Sequence, residues 1–311
     1  MKRSILTKNG MKTVEDEKKP MGPGDLMVRT IACGVCEGDV VAYKNRAGLG
    51  DRMQRLGHEG NGIVEETGKD VRNFKPGDIV SCLGGAYTEY FTAPETRFAK
   101  LPDHLDPKTA LGEPLACVVH AMNRLTVHAE DRVGIVGCGF MGMLALQVLK
   151  HRGAGYILAV DPIEERREHA LTLGADESLP PEDVPLAEDP VKEGDFDIVV
   201  ELAGVQPAVD LCGNMVRQHG HINIVATHRS NDGVRTVNMY QWNWKSITVH
   251  QGHIRKDDEK VKALQESVEL MSGGAVKMDS LVVCYALDNA EQAFQDLVNR
   301  KPGVYKASLV P

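Results

Sequence analysis

Apolar and polar residues follow one pattern over residues 1 to about 112 and another after them. In the first part, short alternating segments such as 25–30 and 60–67 are separated by turns rich in glycine and proline, which predicts β-structure. A helix is predicted from Pro114 to about Thr126. Strand-like segments then alternate with helices, at 132–136, 156–160, 177–179, 197–201, 221–226 and 246–250. Continuous apolar runs within them are typical of a parallel sheet that is covered on both faces.

The pattern changes again from about Ile254. Apolar residues at helical spacing are followed by a strand at 281–287, a helix that begins near Asp288 and a last strand near 305–310. These elements are too few for a domain of their own, so we expect them to return to the first domain. The predicted domains are 1–118 with 254–311, and 119–253. The fold class is α/β, with a doubly wound parallel sheet and a β-rich domain.

A glycine-rich segment, residues 137–142, connects the strand at 132–136 to a predicted helix. Gly137 permits a tight turn, Gly139 lets the backbone approach a pyrophosphate, and Gly142 lets the helix pack close to the sheet. The unpaired N–H groups at the start of that helix would face the phosphates. The arrangement of strand, turn and helix predicts a dinucleotide-binding unit.

The next strand, 156–160, ends at Asp161, whose carboxylate can accept both ribose hydroxyls of an adenosine. The same charge would repel a 2′-phosphate, so NAD is expected rather than NADP. Phe140, Met141 and Arg166 complete the predicted cofactor-binding residues.

Composition and charge exclude several classes of partner. The 311 residues are 42% hydrophobic and 26% charged, and 36 Lys and Arg face 44 Asp and Glu, for a net charge of -8. This balance argues against nucleic acid or an anionic membrane as the main partner. The longest apolar run, within 140–149, is too short to span a bilayer. The first ten residues lack the apolar core of a signal peptide, so a cytoplasmic location is expected.

The seven cysteines do not form the pattern of a secreted disulfide framework, because their number is odd and they are scattered. We expect reduced thiols, of which at most one or two are used chemically.

Two short segments of the β-rich part carry potential metal ligands. Cys36 lies in Cys-Gly-Val-Cys-Glu-Gly-Asp (33–39), and His58 and Glu59 lie in Gly-His-Glu-Gly (57–60). A further carboxylate, Glu113, opens the predicted helix that follows. A catalytic zinc takes three such ligands and keeps one position open. The residues alone leave two interpretations: a zinc site, or a buried small cysteine beside a hydrogen-bonded loop histidine.

Taken together, several segments in this order resemble the zinc-dependent medium-chain dehydrogenase/reductase family, over nearly the whole chain. They are CGVCEGD, GHEGNGIVEETG, KPGDIV, EPLACVVHA, VGCGFMG ending in Asp161, and DIVVELAG. The segment EPLA resembles the polyol branch, the sorbitol and threonine dehydrogenase-like enzymes. The resemblance implies a GroES-like catalytic domain and a Rossmann domain.

The resemblance also implies roles for individual residues. Cys36 and His58 would bind the catalytic zinc, with Glu59 as the third ligand or a carboxylate close to it. Glu113 would face the zinc directly or through a zinc-bound water molecule. Asp39 would orient the zinc ligands. Cys33 would be structural. Met141 and Cys117 would flank the nicotinamide, although ordinary packing explains both residues equally well.

Two departures from the family pattern matter. Many relatives have a lobe with four cysteines that holds a structural zinc, whereas here residues 81–85 run directly into 86–90. We therefore expect one catalytic zinc per chain and no structural zinc. The family also places Ser or Thr two residues after the zinc cysteine to relay the alcohol proton. This chain has Gly38 there.

The expected function is a zinc-dependent transfer of hydride between a secondary alcohol, such as a polyol, sugar or cyclitol, and NAD. One alternative is a zinc-free quinone or enoyl reductase of the same fold, which the presence of Cys36 and His58 argues against. The other is a catalytically idle NAD-binding protein, which the missing relay leaves open. The expected partners are a small-molecule alcohol or ketone and further copies of the chain, as a dimer or tetramer.

Overall fold

The computed structural model describes residues 1–229 and 231–311. Its strands are β1 (Lys2–Thr7), β2 (Gly10–Glu15), β3 (Asp25–Gly34), β4 (Gln54–Arg55), β5 (Glu59–Thr67), β6 (Ile79–Cys82), β7 (Tyr90–Pro94), β8 (Phe98–Lys100), β9 (Arg132–Val136), β10 (Tyr156–Val160), β11 (Glu177–Leu179), β12 (Phe196–Glu201), β13 (Val216–Ile224), β14 (Thr248–Gln251), β15 (Val282–Ala286) and β16 (Lys306–Val310). Its α-helices are α1 (Glu37–Lys44), α2 (Gly112–Met122), α3 (Phe140–His151), α4 (Glu164–Thr172), α5 (Gln206–Met215), α6 (Met239–Trp244), α7 (Asp257–Ser272) and α8 (Ala290–Val298).

The chain divides into two compact units, Met1–Ala116 with Lys256–Pro311, and Cys117–Arg255. The first unit contains a seven-stranded sheet in the order β15-β16-β3-β5-β6-β8, in which β7 also pairs with β3, and a small sheet in the order β2-β1-β4. The last strand, β16, joins this unit because it runs antiparallel to β3, with Ser308 opposite Gly34. The C-terminal elements thus lie in one sheet with strands from the start of the chain.

Two clusters of buried side chains form the core of the first unit. The first lies among the N-terminal strands, α1 and α8, and includes Leu6, Val40, Tyr87 and Phe294. The second fills the space between strands of the larger sheet and includes Leu26, Val64, Val80, Phe91 and Phe98. Burial of these apolar side chains is the main favourable contribution to the stability of the unit.

The second unit contains a parallel six-stranded sheet in the order β11-β10-β9-β12-β13-β14. The order reverses beside β9, the first strand of this sheet in the chain, as expected for a doubly wound fold. Each strand predicted in this region is present. The predicted α/β class, with a doubly wound sheet and a β-rich unit, is confirmed.

The fifth strand of this sheet begins earlier than its apolar pattern indicates. Prediction placed its start at 221, whereas β13 begins at Val216, which pairs with Phe196 before a register shift. Residues 217–219 are exposed, and His219 adopts a φ of +56°. Because an exposed, irregular part of a strand has no apolar alternation, its sequence resembles a loop.

Among the described residues, no helix combines the length and the apolar character needed to cross a membrane. All seven cysteines are free thiols.

A buried asparagine fixes the segment that leads into α2. Asn61, 1% exposed on β5, donates hydrogen bonds of 2.9 and 2.8 Å from Nδ2 to the carbonyls of Pro107 and Ala110.

We expect Asn61→Leu to lower the stability of the first unit by about 2 kcal/mol, since two carbonyls lose their donor. The midpoint of urea unfolding measures the loss.

Asn73→Leu is the matched control for this prediction, because the Asn73 side chain is exposed and, among the described residues, its one hydrogen bond is to Glu95, at 3.3 Å. Its effect should stay within about 0.5 kcal/mol. Equal midpoints for the two variants would show that Asn61 does not fix this segment.

Candidate functional site

The turn after β3 presents the first candidate ligand. Cys36 is the N-cap of α1, and its Sγ accepts a hydrogen bond from the backbone N–H of Gly38, 3.4 Å away. Asp39 follows in the first turn of the helix and is 6% exposed. A cysteine at an N-cap faces the free N–H groups of the first helical turn.

Strand pairing brings the second candidate segment to this turn. In the antiparallel pairing of β3 with β5, Gly34 lies opposite Glu59 and Cys33 opposite Gly60. The ligand atoms of Cys36, His58 and Glu59 consequently lie within 4.8 Å of one another. One thiol, one imidazole and one carboxylate are a donor set that suits a catalytic zinc.

A buried lysine, which the sequence did not single out, lies beside the glutamate of this set. Lys306 Nζ donates a 2.8 Å hydrogen bond to Oε1 of Glu59 and lies 2.6 Å from Oε2. Burial is the largest single effect and lowers the pKa of Lys306. The charges of Glu59, Cys36 and Glu113 and the hydrogen bond to Glu59 together outweigh it, and the pKa is raised. Among the described residues, no group has hydrogen-bond geometry to the buried Oε2 of Glu59. Oε2 nonetheless lies 2.6 Å from Lys306 Nζ, so a metal ion bound there would share this oxygen with the ammonium group.

The pKa of His58 reflects its neighbours. The hydrogen bond with Cys36 raises it to about 10, although burial acts in the opposite direction. Nδ1 of His58 lies 4.0 Å from Oδ2 of Asp39, and the same Asp39 oxygen accepts a 2.5 Å hydrogen bond from the hydroxyl of Tyr87. Burial raises the pKa of Asp39, against the effect of the Tyr87 hydrogen bond. Tyr87 was not identified from the sequence.

Glu113 lies in the first turn of α2, outside the group of three ligands. It is nevertheless close enough to the group to be affected by its charges. Burial raises the pKa of Glu113 to about 7, and the charge of Glu59 acts in the same direction. A carboxyl group with such a pKa can exchange a proton near neutral pH.

The glycine-rich turn of the second unit has the backbone that its sequence predicts. Gly137 has a φ of +104°, and a Cβ there would lie 2.7 Å from the backbone N of Ala203. A Cβ on Gly142 would lie 2.0 Å from the carbonyl oxygen of Gly137. Gly139 is the N-cap of α3, so the first N–H groups of that helix follow it directly. Phe140 and Met141 begin the helix.

Asp161 follows β10 with its carboxylate held in place. It is 3% exposed, and its oxygens accept hydrogen bonds from the backbone N–H groups of Cys138 (2.8 Å) and Ile163 (2.9 Å). The first of these bonds connects the carboxylate to the glycine-rich turn. Arg166 Nη1 lies 3.7 Å from Oδ2, and Arg167 donates to the Asp161 carbonyl.

A buried glutamate holds the turn that packs against Gly137. Glu201, fully buried at the end of β12, accepts hydrogen bonds at Oε1 from the backbone N–H groups of Ala203 and Gly204. Its Oε2 lies 2.9 Å from Nε2 of His228, and burial raises its pKa. The sequence contained a signal for this residue, a single acidic side chain that ends an apolar strand.

Comparison with known proteins gives two family matches. Residues 22–103 match the alcohol dehydrogenase GroES-like domain, and residues 141–272 match the zinc-binding dehydrogenase family.

Individual relatives agree with these matches. The chain is 30% identical to L-threonine 3-dehydrogenase of Caldanaerobacter subterraneus, over 70% of this chain and 73% of that one. It is 27% identical to a probable D-xylulose reductase A of Emericella nidulans, over 94% and 92%. An oxidoreductase/dehydrogenase of unknown specificity from Escherichia coli superposes with a TM-score of 0.87 at 26% identity, over 99% and 98% of the two chains. The chain therefore belongs to the zinc-type alcohol dehydrogenases of the medium-chain dehydrogenase/reductase family.

Proposed function

We propose that this protein is a zinc-dependent oxidoreductase that transfers a hydride between a secondary alcohol and NAD. The observation that carries the proposal is the cluster of Cys36, His58 and Glu59, in a chain that also contains the glycine-rich turn and Asp161. The relative named L-threonine 3-dehydrogenase fits a secondary alcohol as the substrate, and the probable D-xylulose reductase favours a polyol, sugar or cyclitol among such alcohols.

Cys36 and His58 would hold the zinc, with Glu59 as the third ligand or a carboxylate next to it, and Glu113 within reach of the site. Within the described part of the chain, this is the one group of three such side chains close enough to hold a metal ion. It supports one zinc per chain. The comparison with the E. nidulans reductase spans 341 residues, more than the 311 of this chain, so that relative has segments this chain lacks. A missing structural-zinc lobe fits this difference.

Zinc, when bound, supplies a Lewis acid that polarises an alcohol or carbonyl oxygen, and NAD supplies the hydride acceptor. The chain would bind and orient these groups. Cys36 and His58 would provide a sulfur donor and an imidazole nitrogen donor, and His58 must first lose the proton that its raised pKa retains. Oδ2 of Asp39 lies 4.0 Å from Nδ1 of that ring. The turn at 137–142 and Asp161 bind the dinucleotide.

The alcohol proton needs a route that does not use a hydroxyl at position 38, because that residue is glycine. Glu113 is the group we assign to this role. It is an acidic side chain near the metal cluster, and its pKa of about 7 lets it take and release a proton.

The zinc content tests the metal site directly. We expect one zinc per purified chain by elemental analysis, and loss of both zinc and activity in Cys36→Ser and His58→Ala. Binding of NAD, measured by fluorescence titration, should largely remain, since the dinucleotide residues belong to the other unit. Cys284→Ser is the matched control because that thiol is exposed and outside the cluster. Two zincs per chain, or full activity after exhaustive chelation, would contradict the proposal.

The choice of cofactor tests Asp161. We expect NAD to be preferred over NADP by at least tenfold in kcat/KM, about 1.4 kcal/mol, because the carboxylate repels a 2′-phosphate. Asp161→Asn should reduce this preference, whereas Asp176→Asn, at an exposed aspartate that pairs with Lys150, should leave it unchanged. Equal turnover of both cofactors by the wild-type protein would show that Asp161 does not select NAD.

The pH profile tests Glu113. We expect Glu113→Gln to lower the rate of hydride transfer by ~10²–10⁴-fold and to remove the limb of the profile that rises as Glu113 ionises. Zinc should largely remain bound. Glu37→Gln, at an exposed glutamate in the first turn of α1, is the control and should keep the wild-type rate. An unchanged rate and profile in Glu113→Gln would leave Glu113 only a structural role at the start of α2.

A further inference from the structure

Tyr87 contacts the candidate metal site through one buried hydroxyl. Its side chain is 1% exposed, and the hydroxyl donates a 2.5 Å hydrogen bond to Oδ2 of Asp39. The same Asp39 oxygen lies 4.0 Å from Nδ1 of His58. The Asp39 carboxylate therefore lies between the Tyr87 hydroxyl, to which it is hydrogen-bonded, and the His58 ring, which is a neighbour beyond hydrogen-bond distance.

The position of the Tyr87 ring is fixed by distant parts of the chain. It packs edge-on against Phe294 of α8, with ring centroids 6.0 Å apart. Its backbone carbonyl accepts a 2.8 Å hydrogen bond from the N–H of Ser4 on β1. A side chain held from two directions keeps its hydroxyl in one place, as a hydrogen-bond donor for Asp39.

A histidine that binds a metal ion through one ring nitrogen commonly has a carboxylate or carbonyl partner at the other nitrogen. The partner fixes the tautomer and the plane of the ring, and its own orientation depends on further hydrogen bonds. Asp39 is the carboxylate that faces His58, and among the donors described for its Oδ2, the Tyr87 hydroxyl is the nearest.

We propose that Tyr87 is a positioning residue of the metal site: its buried hydroxyl orients the Asp39 carboxylate, and Asp39 in turn orients His58 for metal binding. The proposal rests on the zinc function proposed above and adds a residue to it. Tyr87 does not touch metal, substrate or cofactor in this role. Its effect passes chiefly through Asp39, because among the described residues the one other acceptor of the hydroxyl is the Gly34 carbonyl, at the longer distance of 3.4 Å.

The chain contains a matched control for this role. Tyr43 is also buried and also packs against Phe294, with centroids 5.2 Å apart. Its hydroxyl likewise donates to a carboxylate, Oε1 of Glu291 at 2.6 Å. The two tyrosines thus share burial, aromatic partner and type of hydrogen bond, and they differ in which carboxylate they orient.

The test measures zinc affinity of the full chain by competition with a chromophoric chelator, and the visible spectrum of the cobalt-substituted protein. Tyr87→Phe should weaken zinc binding by on the order of tenfold and shift the cobalt bands. Tyr43→Phe should leave both properties as in the wild type. The Tm of the metal-free proteins, measured in parallel, shows whether the two variants lose similar stability. Equal zinc affinity and equal spectra in the two variants would overturn the role of Tyr87.

A double-mutant cycle with Asp39→Asn then tests the path of the effect. If Tyr87 acts through Asp39, adding Tyr87→Phe to Asp39→Asn should cost no further zinc affinity. A further tenfold loss in the double variant would mean that Tyr87 affects the site by another route. Failure of the wild-type protein to bind zinc would contradict the proposed function itself. Zinc binding by the wild type with no effect of Tyr87→Phe would contradict only the role of Tyr87.

Discussion

The close pairing of β3 with β5 is the constraint on which the candidate metal site depends. It places Gly34 opposite Glu59, so the turn that contains Cys36 meets the segment that contains His58. The pairing leaves no room for a side chain at position 34, because a Cβ there would lie 2.1 Å from Oε2 of Glu59. Since β16 also pairs with β3 at this point, the same contact brings Lys306 to the carboxylate. Three distant segments of the chain thus meet at one glycine.

At this point two buried side chains of opposite charge, Glu59 and Lys306, form an ion pair. Glu59 and Lys306 are 2% and 5% exposed, and each would be costly to bury alone. Their pairing raises the pKa of Lys306. Lys306 Nζ lies close to both oxygens of Glu59, and the nearby Glu113 has a pKa raised to about 7 by burial and by the charge of Glu59. A bound cation would offset the negative charge of both carboxylates, which is a physical reason for such a cluster to hold a metal ion.

The dinucleotide turn depends on backbone geometry and could be predicted from the sequence almost completely. Gly137 has a φ of +104° and a neighbouring backbone within 3 Å of any Cβ, so only glycine fits, and the requirement is visible in the sequence. The anchoring of Asp161 by the N–H of Cys138 follows from its place at the end of the adjacent parallel strand. Glu201 is part of the same region but has no fixed spacing to the glycines, which explains why the motif did not reveal it.

The sequence by itself predicted the class of fold and marked the segments that contain Cys36, His58, Glu59 and Gly137, because periodicity, turn residues and short motifs are local properties. It missed the early start of β13, where exposed residues carry no apolar pattern. Only the tertiary structure decided that Tyr87 and Lys306 lie at the site. Their contacts join residues 48 and 247 positions apart in the chain, and no local pattern encodes a contact between such distant segments. The pairing of β16 with β3 brought Lys306 to the site, whereas Tyr87 lies in the connection between β6 and β7 and reaches Asp39 from there.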